Sequence, residues 1–380
     1  MRFANSTTNN LPRLLMVSAF LPHTDGSHSV AQDLANRLAN ESESVICTSS
    51  FRSGLLRTLD ILTTAFRRRR DYDLAIVGLY SGKAFLWGEA VSWLLKKLGK
   101  PFVISLHGGA LPEFAKRHPR RIARTLSKAA AVTAPSNYLL ELMRPYRPDK
   151  KDILLLPNPI ELSRYEFRLR AEAQPKMVWL RAFHQIYNPE LAVKVAAELQ
   201  HSIQPVLTMI GPDKGDGSRQ QTELAAKTLF SPTKAHEEDT KEGKEGSPSL
   251  GEPSCAFVGE PVLFVGGVAN SEVPMWLNRG DIFLNTTNVD NTPVSVIEAM
   301  ACGLVVISTN VGGLPYLLTD GEDALLVPPD DAEAMAAAVR RVLTEPGLAE
   351  RLSANARRKA ESFDWANVLP MWRKLLGSIG

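Results

Sequence analysis

Short apolar runs alternate with amphipathic helical stretches along most of the chain, the alternation stops once and restarts, and 380 residues give room for two cores. These three observations predict an α/β fold: two Rossmann-like domains facing across a cleft, each a parallel sheet buried on both faces by helices.

In the first half the runs are Leu14–Ala19, Ser44–Thr48, Leu74–Leu79, Phe102–His107, Ala131–Ala134 and Ile153–Leu156. Between the first two, Val30, Ala31, Leu34, Ala35 and Leu38 recur at helical spacing, which makes the connection a βαβ crossover. Pro157-Asn158-Pro159 punctuates the chain, and Glu161–Pro175 is polar and aperiodic, as a linker would be. The pattern restarts with strands Met177–Leu180, Val206–Ile210, Val262–Val265, Ile282–Asn285, Val305–Ser308 and Leu325–Val327. Helices Ala332–Leu343, Leu348–Glu361 and Trp365–Leu376 then follow without a strand between them, and the last is expected to cross back to the first domain. The expected boundaries are 1–160 with 365–380, a linker at 161–175, and 176–364. Within the second domain Ser231–Cys255 is rich in Lys, Glu, Gly, Ser and Pro and is read as a disordered insertion. Its His236, Glu237, Glu238 and Asp239 are read as a mobile charged loop, not as metal ligands.

A hydrophobic fraction of 44% and a charged fraction of 22% exclude a disordered or collagen-like chain. The longest apolar runs fall far short of the roughly 20 residues that cross a bilayer. Leu14–Leu21 runs into Pro22, His23 and Asp25 rather than a small-residue cleavage site, so it reads as a strand. Cys47, Cys255 and Cys302 are odd in number and widely separated, which implies neither a disulfide framework nor a zinc site; a reducing cytoplasm is the expected compartment.

The net charge of +3 conceals an asymmetry. Residues 1–165 carry 24 Lys and Arg against 13 Asp and Glu, whereas residues 166–380 carry 20 against 28. The basic residues cluster at Arg67–Arg70, and at Lys116, Arg117, Arg120, Arg121, Arg124 and Lys128 on what reads as one helix. Such a face attracts anions. It is read either as solvated helix ends or as a contact for an anionic membrane or a phosphate-bearing acceptor. With no interleaved aromatics and no binding motif, nucleic acid is not expected as a partner.

Asp290-Asn291-Thr292-Pro293 opens a helix that runs through Glu298 to Gly303. Pro293 suits a first helical position, Asn291 or Thr292 can cap it, and Gly303 can end it. The free N–H groups at its start would face the crevice at the carboxyl ends of the strands, where open α/β sheets bind ligands, and phosphates suit that place. Glu298 either faces solvent or, among Val294, Ile297 and Met300, requires hydroxyl donors such as those of a ribose. A second loop, Asn310-Val311-Gly312-Gly313-Leu314-Pro315, follows the next strand, and its two glycines allow close approach of a ligand.

This stretch, continued through Asp320-Gly321 to Leu325-Leu326-Val327-Pro328-Pro329, resembles the donor-binding half of glycosyltransferase family 4, whose members have the GT-B fold. Pro157-Asn158 is similar to the family's interdomain strand end and His107-Gly108-Gly109 to its first-domain loop. The resemblance implies a donor site in which Asp290 and the backbone of Asn291, Thr292 and Pro293 meet sugar hydroxyls while Glu298 holds the ribose. Arg181, with the N–H groups of the loops at Gly312 and Gly313, would receive the diphosphate, and the loops at Gly211–Lys214 and Gly266–Asn270 would border the base. His107 would help bind the transferred sugar, and Gly26, in Asp25-Gly26-Ser27-His28, remains from a loop approached by acceptor or phosphate.

Three departures stand out. Asp290 replaces the usual Glu, Ile186-Tyr187-Asn188 lacks the family's lysine so that His184 or Lys214 would have to substitute, and Tyr316 stands where many members have Glu. Asp71-Tyr72-Asp73 has the form of a metal-binding motif of another glycosyltransferase fold, but is expected to pair with Arg67–Arg70 instead. The expected enzyme is a metal-independent retaining glycosyltransferase with no cofactor beyond its nucleotide-diphosphate sugar. Its acceptor would be a saccharide or lipid-linked hydroxyl, in polysaccharide or glycolipid synthesis. A nucleotide-sugar epimerase and a nucleotide-sugar-binding protein are the alternatives; no strand is followed by the Gly-x-Gly-x-x-Gly turn of an NAD-linked oxidoreductase.

Overall fold

The structure, a computed structural model, describes residues 11–20, 30–147, 152–230 and 261–379. Gly26 and the 231–255 insertion lie outside the described residues.

Two six-stranded parallel sheets form the frame. The first contains β1 (Leu14–Val17), β2 (Val45–Thr48), β3 (Leu74–Leu79), β4 (Phe102–Leu106), β5 (Ala131–Ala134) and β6 (Ile153–Leu155), in the order β2-β1-β3-β4-β5-β6. The second contains β7 (Lys176–Leu180), β8 (Val206–Ile210), β9 (Val262–Gly266), β10 (Ile282–Asn285), β11 (Val305–Thr309) and β12 (Ala324–Val327), in the order β12-β11-β10-β7-β8-β9. Pairing is in register: Leu14 lies opposite both Val45 and Leu74, and Ile282 opposite both Met177 and Val305.

The period of two along each strand divides its side chains between two cores. Leu15 and Val17 enter one cluster of the first domain while Leu14 and Met16 enter the other; in the second domain Met177 and Trp179 are separated in the same way from Val178. Helices cover both faces, which is what strands apolar on both sides require. In the first domain these are α1 (Val30–Leu38), α2 (Gly54–Arg67), α3 (Phe85–Lys97), α4 (Leu111–Arg117), α5 (Pro119–Leu126) and α6 (Asn137–Met143). The second domain has α7 (Pro189–Leu199), α8 (Ser218–Leu229), α9 (Val273–Asn278), α10 (Val294–Ala301), α11 (Leu314–Leu317), α12 (Ala332–Thr344) and α13 (Leu348–Glu361). The final helix, α14 (Trp365–Gly377), returns to the first domain, where Trp365, Val368, Trp372 and Leu376 pack with Leu14, Leu34 and Leu38.

Three local expectations are corrected. The basic stretch expected as one helix is two, α4 and α5, because Pro119 has no N–H to continue the first and is already shaped to begin the second. Pro293 is the N-cap of α10, with ψ 121°, not its first helical residue, and neither Asn291 nor Thr292 caps it. Glu161–Pro175 is no free connection: Arg170 is fully buried, bonds to the carbonyls of Cys302 and Gly280 and pairs with Asp281, which fastens this segment to the second domain. The chain passes between domains at Ile160 and at Phe363–Trp365, and the two passages are bonded to each other, Ile160 N–H to Phe363 O and Trp365 N–H to Ile160 O.

Candidate active site

Strand order determines where the second domain can bind a ligand. Counted from its own first strand, that order is 3-2-1-4-5-6, so the chain reverses direction between β7 and β10 and a crevice opens beyond their carboxyl ends. Arg181 is the residue after β7, and Asp290 lies on the loop after β10. The two form an ion pair, with side chains only 18% and 15% exposed. Asp290 Oδ1 also accepts from the Asn291 N–H at 2.7 Å, so each carboxylate oxygen has one partner within the chain. Tyr187, where the resemblance lacks its lysine, places its ring 4.3 Å from the Arg181 guanidinium. Of the substitutes considered, His184 uses Nδ1 to accept from the Ile186 N–H at 3.1 Å, and Lys214 is exposed.

The glycines allow backbone to approach backbone. A Cβ at Gly211, where φ is +152°, would overlap the Arg181 carbonyl. A Cβ at Gly312 or Gly313 would overlap the Asp290 or Asn291 carbonyl, and the Gly313 N–H donates to Asp290 O at 3.0 Å. The Gly312-Gly313 loop, expected to cradle phosphate, is therefore spent in part on holding the Asp290 loop. That leaves α10 as the helix whose mouth faces the crevice.

Glu298 sits on α10, 8% exposed, and accepts a hydrogen bond of 2.6 Å from the Tyr165 hydroxyl. Burial pushes its carboxyl above the usual range, opposed by the Tyr165 bond and the charge of Arg181. Burial likewise lowers the pKa of Arg181. Around them Arg181 Nε, Thr292 Oγ1 and Ser295 Oγ are buried without a hydrogen-bond partner. Buried polar atoms are nearly always paired, so these orphans at a helix mouth have hydrogen-bonding capacity left for a ligand. A cavity of about 610 Å³ lies alongside, walled by Glu298, Val294, Tyr165 and Asn270 on one side and by Asp33 and Arg37 of α1 on the other.

The first domain meets this crevice through its own strand ends. His107, just past β4, stacks on Tyr80 with ring centres 5.0 Å apart, and burial pushes its pKa down to about 4. Gly109 lies against the Asp290 loop, where a Cβ would come 3.1 Å from the Asp290 carbonyl carbon. Ser136, the N-cap of α6, donates to Asn291 Oδ1, and Asn158 reaches the Thr292 carbonyl at 3.4 Å. Tyr316 donates to Glu141 of α6 at 3.0 Å, a place where the Glu usual in the family would face another carboxylate. Arg181 and Asp290 are thus brought together beside Glu298, with Asn291, Thr292 and Pro293 between Asp290 and the helix, whereas His107 lines a separate cavity with Asn158, which reaches the Thr292 carbonyl. Tyr165, Tyr187 and Ser136 touch Glu298, Arg181 and Asn291, and their places in the sequence carry no signal of it.

The Asp71-Tyr72-Asp73 motif lies away from this crevice. Asp71 pairs with Arg68 as expected, but Asp73 takes Arg13 at 2.7 Å, since β1 and β3 are neighbours and bring Arg13 beside it. Among the described residues no group of three or more His, Cys, Asp and Glu could hold a metal ion. No helix among them is long and apolar enough to cross a membrane.

Two parallel-sheet domains with a crevice at the switch point of the second, met by strand ends of the first, define the GT-B architecture. Comparison with known proteins agrees. The profile "Glycosyltransferase Family 4" matches residues 20–164 and "Glycosyl transferases group 1" matches residues 243–345. A D-inositol 3-phosphate glycosyltransferase of Rhodococcus jostii is 27% identical over 298 residues, 74% of this chain and 60% of that one, so the match spans less than two thirds of that relative. Its counterpart in Actinosynnema mirum is 23% identical across 96% of this chain and 84% of its own. In fold, the sucrose-phosphate synthase of Thermosynechococcus elongatus superposes with a TM-score of 0.73 at 19% identity, over 96% of this chain and 99% of that one. Anabaena HepE in complex with UDP gives 0.73 at 15% identity, over 96% and 100%. The chain belongs to the GT-B glycosyltransferases of the family 4 type.

Proposed function

We propose that this protein moves a sugar from a nucleotide-diphosphate sugar to an acceptor hydroxyl, with retention, in the cleft between its domains. The observation that carries the reading is the buried group of Arg181, Glu298 and three orphaned polar atoms at the mouth of α10. Glu298 has a second oxygen for ribose hydroxyls beyond the one that accepts from Tyr165. Arg181, oriented by Asp290 and Tyr187, faces the position of the diphosphate and opposes the charge that grows there as the bond to the anomeric carbon breaks. The acceptor oxygen bonds to that carbon on the same face, and its proton passes to the departing phosphate. Asp290 is a positioning residue in this scheme, since the ion pair removes it as a nucleophile. His107, neutral at working pH, offers a hydrogen bond to the transferred sugar.

HepE has been solved with UDP and with UDP-glucose, which supports a uridine nucleotide as the first donor to try. The basic first domain suits an acceptor that is anionic or lipid-linked, in polysaccharide or glycolipid synthesis, handled by a cytoplasmic enzyme peripheral to the membrane. The diphosphate charge is met by a guanidinium and amides, so chelator should leave turnover unchanged; a strict requirement for Mg²⁺ would overturn that part. Thermal-shift screening against nucleotide diphosphates and their sugars tests the rest. A donor should raise the melting temperature of the parent and not that of Glu298→Ala or Arg181→Ala. An equal response from all three would refute the site.

A further inference from the structure

Helix α2 is amphipathic in the unusual sense. Its inward side, Ile61 and Ala65, joins the core, but Leu55, Leu59, Leu62 and Phe66 recur at steps of four and three along one stripe that borders solvent. Leu55 is 73% exposed, and Leu59 and Phe66 are each 51% exposed. Neighbouring α3 repeats the pattern with Leu86, Ala90, Trp93 and Lys97, and Leu86 and Trp93 are each 50% exposed. Both helices pack on the same face of the first sheet, Ile61 and Ala65 sharing a cluster with Val91 and Leu95, so the two stripes face outward together. Exposed apolar stripes on two helices packed side by side mark a candidate interaction surface.

Charge selects the partner. Between Phe51 and Arg70 stand six arginines against one acid, Asp60, and Asp60 already accepts from the Thr48 hydroxyl at 3.1 Å. Cations also edge the apolar rings: Arg69 lies 4.6 Å from the centre of Phe66, and Lys97 Nζ 4.1 Å from that of Trp93. Long cationic side chains beside Leu, Phe and Trp match an anionic bilayer, whose headgroups take the charge while its acyl boundary takes the apolar stripe. A second copy of this face would bring arginines against arginines. Resting on the peripheral membrane placement proposed above, we propose that the α2–α3 face is what docks on an anionic lipid bilayer. α2 begins beyond the carboxyl end of β2, on the side of the sheet from which His107 also emerges, so its Leu55 end is the one nearer the cleft, while Phe66 and Arg67–Arg70 lie at the far end.

The test is flotation of the full chain with vesicles of phosphatidylcholine alone and with phosphatidylglycerol added. Binding is expected only with the anionic lipid and should weaken with salt. Leu55→Glu/Leu59→Glu should abolish it, and each of Arg67→Ser and Arg70→Ser should reduce it about fivefold. All are surface positions, so donor-induced thermal shift, which reads the site at Glu298, should stay as in the parent; this separates failure of the docking from failure of the transfer reading. Equal partition to neutral vesicles, no partition at all, or a dimer in light scattering that Leu55→Glu/Leu59→Glu dissolves would each overturn the proposal.

Discussion

Arg181 in the second domain and His107 in the first stand at corresponding places, each the first residue beyond a central strand, yet they are held in opposite ways. Arg181 keeps its charge in a buried setting because Asp290 pairs with it and the Tyr187 ring covers it. His107 has no ionic partner among the described residues, rests on Tyr80, and is neutral. The same contrast extends outward. In the second domain glycines press one site loop onto another, whereas Gly109, Ser136 and Asn158 of the first domain merely touch that assembly from across the cleft. A diphosphate needs fixed, preorganised charge, and Arg181 is held in that way; the first domain, basic as a whole, presents at its corresponding strand end an uncharged ring instead.

The comparison breaks first at Glu298 and Arg181. With donor at 100 times its dissociation constant the parent gains about 2.7 kcal/mol of apparent stability, and Glu298→Ala or Arg181→Ala should gain close to none. Glu298→Gln, nearly isosteric, keeps the fold and should lose most of the gain as well, which separates loss of a ligand contact from loss of structure. Comparable in size is rigidity itself. Gly313→Ala drives a Cβ into the Asn291 carbonyl and should cost about 2–4 kcal/mol in denaturant unfolding. Gly321→Ala meets no atom within 4 Å and suffers only from its φ of +73°, about 1 kcal/mol. Equal losses at the two positions would mean that the Gly312-Gly313 loop yields easily and that the donor half is not rigid.

Why was so much of this readable from sequence, and where did reading stop? Strands such as Ala131–Ala134, Val206–Ile210 and Ile282–Asn285 are continuous apolar runs between polar breaks, and burial on both faces produces that pattern directly. The Asp290 to Glu298 motif was legible because spacing along one loop and one helix is local. What it touches is not local. Tyr165 reaches Glu298 across 133 residues, and Arg181 meets Asp290 only because the strand order places β7 beside β10. The glycines were recognised as sites of close approach, but whether a ligand or the chain's own carbonyls approach depends on how two loops fold together. Likewise the aperiodic Glu161–Pro175 looked like a tether because the partners that bury Arg170 lie more than 100 residues onward.

Tyr165 offers a finer test of the donor half. Tyr165→Phe removes the only hydrogen bond found for the Glu298 carboxylate among the described residues, and charged hydrogen bonds of this kind carry roughly 1.5–3 kcal/mol. Donor affinity should fall at least about tenfold with kcat changed less, because the phenol acts through Glu298 and touches no reacting atom. A fall in kcat with affinity intact would place Tyr165 in the chemistry instead.

The smallest expected effect belongs to the first domain. The His107 imidazole should titrate near pH 4 by NMR, where an unperturbed histidine titrates near about 6.5. The unfolded chain then takes up this proton at a higher pH than the folded one, so stability attributable to His107 is complete above about 6.5 and declines as pH falls toward the folded value. His107→Gln should remove that portion of the pH slope and leave stability above neutrality little changed, while sugar transfer falls through loss of a hydrogen bond. An inflection near 6.5 would instead give the first domain a cation at the cleft under mildly acidic conditions. The contrast between a charged strand end in the second domain and a neutral one in the first would then fail at its simplest point, since both strand ends could face the diphosphate with positive charge.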